Sequence, residues 1–142
     1  MYLDAVNNKM VYDVLIIGDL DNSIKMNLDD YAFKLNISIL YVPDIIEGIF
    51  NLNIIDYQFI LITFDLENYK ERFNNAKILQ NLKFENYISG EIYGLSLISV
   101  PTHLLTRKYF KRIIKNDYLS IIKLITDWYV LGNNHFTDKI HA

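Results

Sequence analysis

Two uninterrupted apolar runs constrain this chain more than any other feature. Val11 to Ile17 reads VYDVLII and Tyr57 to Thr63 reads YQFILIT. Such runs are short, rich in β-branched and aromatic residues, and apolar on successive positions. That pattern fits a strand covered on both faces rather than one with a wet side. The segments around them keep a helical period. Ser23 to Asn36 reads as a weak helix or an irregular segment, and Ile37 to Val42 as a short strand or an extended approach. Pro43 opens a helix with Asp44 and Glu47 in its first turn, near the positive end of its dipole. Ile45, Ile46, Ile49, Phe50 and Leu52 give that helix an apolar stripe, which Gly48 weakens.

Asn68 to Leu82 is expected to be a third helix, with Phe73, Ala76, Ile78 and Leu79 inward. Tyr87 to Ser89 and Leu95 to Val100 are strand candidates. Thr106 to Asn116 and Leu119 to Ile125 are helical by period, and Trp128 to Leu131 is expected to be a last buried strand before the loop Gly132-Asn133-Asn134. Alternation of apolar strands with helices predicts an α/β domain: three-layer, Rossmann-like, with a mostly parallel sheet. The length of 142 residues fits one domain without a cap.

Composition removes several function classes. There are 0 Cys, so a disulfide framework, a zinc thiolate site and a cysteine nucleophile are all excluded. A hydrophobic content of 51% can fill a core, and only 5 Gly and 2 Pro argue against linkers and turn-rich all-β folds. No apolar run reaches the roughly 18 residues of a membrane span. The start Met1-Tyr2-Leu3-Asp4 lacks the layout of a signal peptide. A cytoplasmic protein without membrane contact is therefore expected. Charge is uneven: 11 acids face 3 bases through Glu67, and 11 bases face 6 acids from Asn68 onward. The bases gather in Arg107 to Lys115, where Lys108, Lys111, Arg112 and Lys115 would share a helix face. With a net charge of -3 that face is expected to be solvated, and nucleic acid is not the expected partner. His103, His135 and His141 show no ligand spacing.

In parallel α/β sheets the ligand site lies beyond the carboxyl ends of the strands. The first strand ends Gly18-Asp19-Leu20-Asp21-Asn22-Ser23. Alternation puts Asp19 and Asp21 on one side, where two carboxylates repel unless a cation such as Mg²⁺ lies between them. The competing reading is that Asp21 or Ser23 caps the next helix. The second strand ends in Thr63, whose hydroxyl could hold an oxyanion or could simply be a β-branched strand residue. Gly132 to Asp138 could return a carboxylate to the first strand's tip, or be an ordinary surface loop.

Taken in order, VLIIGDLDNSI, PDIIEGIFNLNIIDYQFILIT and WYVLGNNHFTDKIHA resemble the motifs of the haloacid dehalogenase (HAD) superfamily of phosphohydrolases. Ser23 stands where that family usually has Thr, Asn133 replaces an acid, and Ala142 matches a small residue. The resemblance implies Asp19 as nucleophile, Asp21 as acid/base, and Thr63 with Lys108 (Lys111 as the fallback) on the phosphoryl oxygens. It also implies Mg²⁺ held by Asp19, Asp21, Asp138 and Asn133. A phosphorylated, macromolecular substrate or a second subunit covering the open site would follow. The family's final strand and helix are missing after Ala142, so a truncated or inactive member is part of the same expectation. A different resemblance is to receiver-type signalling domains, carried by DYQFILITFD. There the phosphoacceptor Asp would fall near Thr63 and the Lys-Pro pair on Val100-Pro101. That reading, like an immunity-type protein, implies a non-catalytic module that binds a protein partner.

Overall fold

A computed structural model describes residues 2–4, 9–96 and 109–141, with side chains for 9–96 and 109–130. In chain order the elements are β1 (Tyr2–Asp4), β2 (Lys9–Ile17), α1 (Asn22–Leu35), β3 (Ile39–Val42) and α2 (Ile45–Leu52). Then come β4 (Ile55–Phe64), α3 (Tyr69–Phe84), β5 (Glu91–Ser96), β6 (Arg112–Lys115) and α4 (Tyr118–His141). The two apolar runs form the central pair, β2 and β4. They lie parallel, with Ile17 opposite Ile62, and β3 joins the other edge of β2 with Val42 opposite Ile17. β5 and β6 extend the sheet beyond β4, also in parallel. Short β1 pairs antiparallel with the start of β2. Without β1, the order β3-β2-β4-β5-β6 is the doubly wound arrangement whose order reverses beside β2.

Both faces of the sheet are covered, as the apolar runs require. Leu15, Ile17, Ile60, Ile62 and Phe64 pack with Leu52 of α2 and Phe73, Ala76 and Leu79 of α3. Val14, Ile16, Phe59 and Leu61 pack with Leu28 and Ala32 of α1 and Ile121, Leu124 and Ile125 of α4. Gly48 does not break α2. A methyl group there would stand 2.9 Å from Ile17 Cδ1, so the glycine lets the helix lie close on the sheet. Asp44 caps α2, accepting the Glu47 amide at 3.0 Å.

Three expectations are corrected. Tyr87 to Ser89 forms no strand. Arg112 to Lys115, expected within a helix, is a strand. Ile113 packs into the α2–α3 layer and its neighbour Ile114 into the α1–α4 layer, the alternation of a sheet and not of a helix. The proposed basic helix face therefore does not exist at Arg112 and Lys115. Trp128 to Leu131, expected as a strand with a loop after it, lies inside α4. Ile121, Leu124, Ile125 and Trp128 follow i, i+3, i+4, i+7, and Trp128 packs edge-on against Phe59 with ring centres 5.3 Å apart. Among the described residues no helix is long and apolar enough to cross a membrane.

One carboxylate is built into the frame away from the ligand edge. Asp56, near the start of β4, is wholly buried. It accepts the Tyr57 amide at 2.8 Å, the Ser89 amide at 3.0 Å and the Ser89 hydroxyl at 2.7 Å. It thereby fixes the turn that delivers β5. Asp56→Ala strands these donors and is expected to lower stability by about 3 kcal/mol, read as a lower urea midpoint with an unchanged slope.

Candidate functional site

The registers align the carboxyl ends of the strands. Gly18 follows Ile17 and so comes level with Thr63; Phe64 pairs with Ser96, and Ser96 with Lys115. Along this line opens a cleft of about 510 Å³ lined by Asp19, Leu20, Asp21, Ile24, Thr63, Phe64, Asp65, Asn68 and Asn116. Gly18 makes the turn out of β2 possible. Its φ of 112° is a conformation side chains avoid, and a methyl group would collide with Thr63 Oγ1 and stand 2.7 Å from Arg72 Nη1. Thr63 and the Arg72 guanidinium are therefore packed directly on the Gly18 backbone.

The carboxylates have structural partners. Asp21 is the N-cap of α1: Oδ1 accepts the Ser23 amide at 2.8 Å and the Ser23 hydroxyl at 2.8 Å. The Ser23 side-chain hydrogen bond, then its amide, holds the Asp21 carboxyl below the usual carboxylate range. Asp65 Oδ1 accepts the Glu67 amide at 2.9 Å and the Asn68 amide at 3.0 Å, shaping the turn into α3. Asp117, after β6, caps α4 through the Ser120 amide at 2.7 Å, and Ser120 holds its carboxyl low as well. Of the two readings left open for Asp21, capping is the one the structure bears out.

Two buried polar side chains at this edge carry atoms without a hydrogen-bond partner. Arg72, in the first turn of α3, is 9% exposed, and its Nε and Nη1 donate to nothing. None of the ion pairs among the described residues includes it. Asn116, 9% exposed, lines the cleft with an equally unpartnered Oδ1. A buried donor left unmade costs about 1–3 kcal/mol, so such groups call for an explanation.

The sequence-derived site survives only in part. Asp19, Asp21 and Thr63 do meet at one cleft. Lys108, Val100-Pro101 and His103 lie outside the described residues. Lys111 precedes β6, at the opposite edge of the sheet, and its Nζ is 3.8 Å from Glu91. Asn133 and Asp138 belong to α4 and not to a strand-end loop. α4 starts at Tyr118, next to the cleft, and about 30 Å of helical rise separates Tyr118 from Asp138. A metal shared by Asp19 and Asp138 is thus excluded. Among the described residues no three acidic or histidine side chains are grouped to hold a metal. The Arg72 cation beside Gly18 and Thr63 further disfavours a divalent ion there. The donor set does not fit the Mg²⁺ site that the resemblance implied.

Asp65, Asn68 and Asn116 line the cleft without being expected there, and Arg72 lies beside Gly18. Arg72 sits within a helix whose period marks it as one more charged position. Asn116 follows a strand too short to show a period, so the sequence pattern alone does not mark it as a strand-end residue.

No family model matches the chain, and no curated protein matches it in sequence. Solved structures match its fold. A receiver domain (CheY-like) of a response regulator from Methylobacillus flagellatus superposes with a TM-score of 0.63 at 14% identity, over 82% of this chain and 98% of that one. A Francisella response regulator receiver domain gives 0.61 at 16% identity, over 84% and 98%. A de novo designed Rossmann 2x3 fold protein gives 0.58 at 17% identity, over 84% and 90%. The chain has the CheY-like, doubly wound α/β fold. The HAD resemblance is overturned: the structural neighbours are receiver domains, and its fourth motif is helix. Its phosphatase reading falls with it.

Two outcomes follow from the edge geometry. Gly18→Ala forces a side chain into a left-handed turn and onto Thr63, and is expected to cost about 3 kcal/mol in denaturant melts. Asp21→Ala removes the α1 cap and lowers the melting temperature near neutral pH. Because the folded-state pKa is depressed, the Asp21 contribution is present above its unfolded value and lost as pH falls below about 4. The melting curves of wild type and Asp21→Ala should therefore converge in acid, whereas Asp21→Asn keeps the cap without that pH dependence.

Proposed function

We propose that this protein is a non-catalytic, receiver-like module that works by binding a protein partner. The observation that carries the reading is Thr63. It occupies the carboxyl end of the central strand β4, where the phosphoacceptor Asp of a receiver would fall, and it lies in the cleft. A threonine hydroxyl does not form an acyl phosphate. The next carboxylate, Asp65, is two residues further on and engaged in the turn. The cleft thus lies at the carboxyl end of the central strand without a receiver's acceptor. The lack of a grouped set of metal ligands among the described residues fits the same reading, and no Mg²⁺ requirement is proposed.

A binding role needs a surface. Ile46, Phe50 and Ile54 recur every four residues from α2 into the turn after it, and are 64%, 68% and 73% exposed. Their spacing sets them on one helix face, opposite buried Gly48 and Leu52. Contiguous apolar surface of this kind marks protein contact. A second copy of the chain is one form the partner could take.

Incubation with acetyl phosphate and Mg²⁺ followed by intact-mass measurement tests the acceptor claim. No phosphoryl adduct is expected on the wild type, nor turnover of an aryl phosphate. Stoichiometric phosphorylation of the wild type would sink the reading. For the binding claim, Phe50→Glu is expected to leave the fold intact by circular dichroism. It should abolish either self-association in sedimentation or the cross-link to a partner identified by mass spectrometry.

A further inference from the structure

Among the described lysines, most are engaged. Lys9 donates to two backbone carbonyls, Lys25 lies over the Tyr41 ring, and five others pair with carboxylates. Lys70 and Lys77 enter none of these contacts, and both line one groove of about 420 Å³ with Tyr69, Phe73, Asn74 and Tyr109. Lys70, Phe73, Asn74 and Lys77 follow i, i+3, i+4, i+7 on α3, so they share one helix face. The two lysines stand two turns apart, about 10 Å of rise. Between them lies an aromatic well. Phe73, 6% exposed, is its floor. Tyr69 meets Phe73 edge-on with ring centres 5.8 Å apart, and Tyr109 stands 6.4 Å away, tilted by 34°. Gln80 donates to the Tyr109 carbonyl at 2.8 Å, which ties that wall to α3. No carboxylate is among the residues that line the groove. We propose that this groove docks an acidic segment of a partner protein, with one apolar side chain in the aromatic well and carboxylates on Lys70 and Lys77.

Charge and shape together select this occupant. Two cations without a carboxylate near them favour a negative partner, and steer it toward the groove. The part of the chain that carries the groove is basic, with 11 bases to 6 acids from Asn68 onward. In an extended segment, residues three apart are about 10 Å apart, so two acids can reach both lysines while a side chain between them enters the well. A single-stranded nucleic acid would need open ring faces for its bases. Here Tyr69 is turned edge-on to Phe73, and Phe73 is buried, so the rings form a pit and not a platform. The inference rests on the reading of the protein as a binding module. It adds a second face to that role, since Ile46, Phe50 and Ile54 do not line this groove.

A random-peptide display library is selected on the wild type and counter-selected on the double variant Lys70→Glu, Lys77→Glu. Both lysines are exposed, so that variant is expected to fold, which circular dichroism checks. If it does not fold, Lys70→Gln with Lys77→Gln takes its place. The expected result is enrichment of peptides with acids on either side of a Phe or Leu. A synthetic copy of an enriched peptide should shift the Lys77 and Tyr109 amide resonances saturably. Charge reversal is expected to weaken it by about tenfold or more, and the loss should shrink as salt is raised. Lys70→Arg with Lys77→Arg should keep binding, and Tyr69→Ala should weaken it equally at low and high salt. No enrichment, or enriched peptides without acids, overturns the proposal. So does tighter binding of an oligouridylate than of the peptide, or self-association that charge reversal abolishes. Peptides lost in Phe50→Glu but kept in the charge-reversed variant bind the α2 face: the groove proposal then falls while the binding role stands. Phosphorylation of the wild type by acetyl phosphate would do the converse, removing the non-catalytic reading without moving the peptide titration.

Discussion

The parallel pairing of β2 with β4 is the constraint on which the rest depends. Both strands are apolar on successive residues, so each must be covered on two faces, and only a layer of helices on either side does that. The pairing also sets Ile17 against Ile62. One residue further, Gly18 and Thr63 stand side by side, and the chain reversal at Gly18 opens the cleft next to them. A slip of one residue would turn each strand's side chains to the opposite helix layer and would also separate these two. Fold and candidate site are therefore fixed by the same register.

The first-motif likeness shows how a short pattern of acids can be read two ways. Asp19-Leu20-Asp21 leaves a buried strand and enters a helix, and either a metal site or a helix start asks for carboxylates in that place. What separates the two is the long-range partner. The metal reading needed a third acid from the end of the chain, and α4 carries Asp138 about 30 Å of rise away from the edge. Without it, Asp21 turns to its own helix and satisfies the Ser23 amide. The strand-end position in β4 holds a threonine, and the proposed non-catalytic reading rests on it.

Much of the frame was legible because it is written in local pattern. The strands at Val11 to Ile17 and Tyr57 to Thr63, the capped helix after Pro43 and the doubly wound architecture all follow from burial and period. What escaped were the elements whose local pattern is ambiguous. Arg112 to Lys115 is four residues long, too short to show a period, and only the opposite packing of Ile113 and Ile114 reveals the strand. The stripe Ile121, Leu124, Ile125, Trp128 was present in the sequence, but the apolar run after Asp127 imitates a buried strand. In the site, Asp19, Asp21 and Thr63 were recognisable as strand-end residues. Arg72 was not, because nothing in a helical period says that one arginine will be turned inward over a neighbouring strand.

That inward arginine gives the edge its electrostatic logic. Three carboxylates line one cleft, and a fold can balance like charges of this kind with a mobile cation or with one of its own. Here the positive charge is covalently part of α3, placed one turn in, where the helix passes the end of β4. A built-in cation does not dissociate, and it keeps its hydrogen-bond donors after the long-range charges have balanced. Two of those donors remain unmade in Arg72. Charge neutralisation alone would be served by any buried cation. Arg72 lies instead beside Gly18 and Thr63, so the same side chain also packs the turn from which the cleft opens.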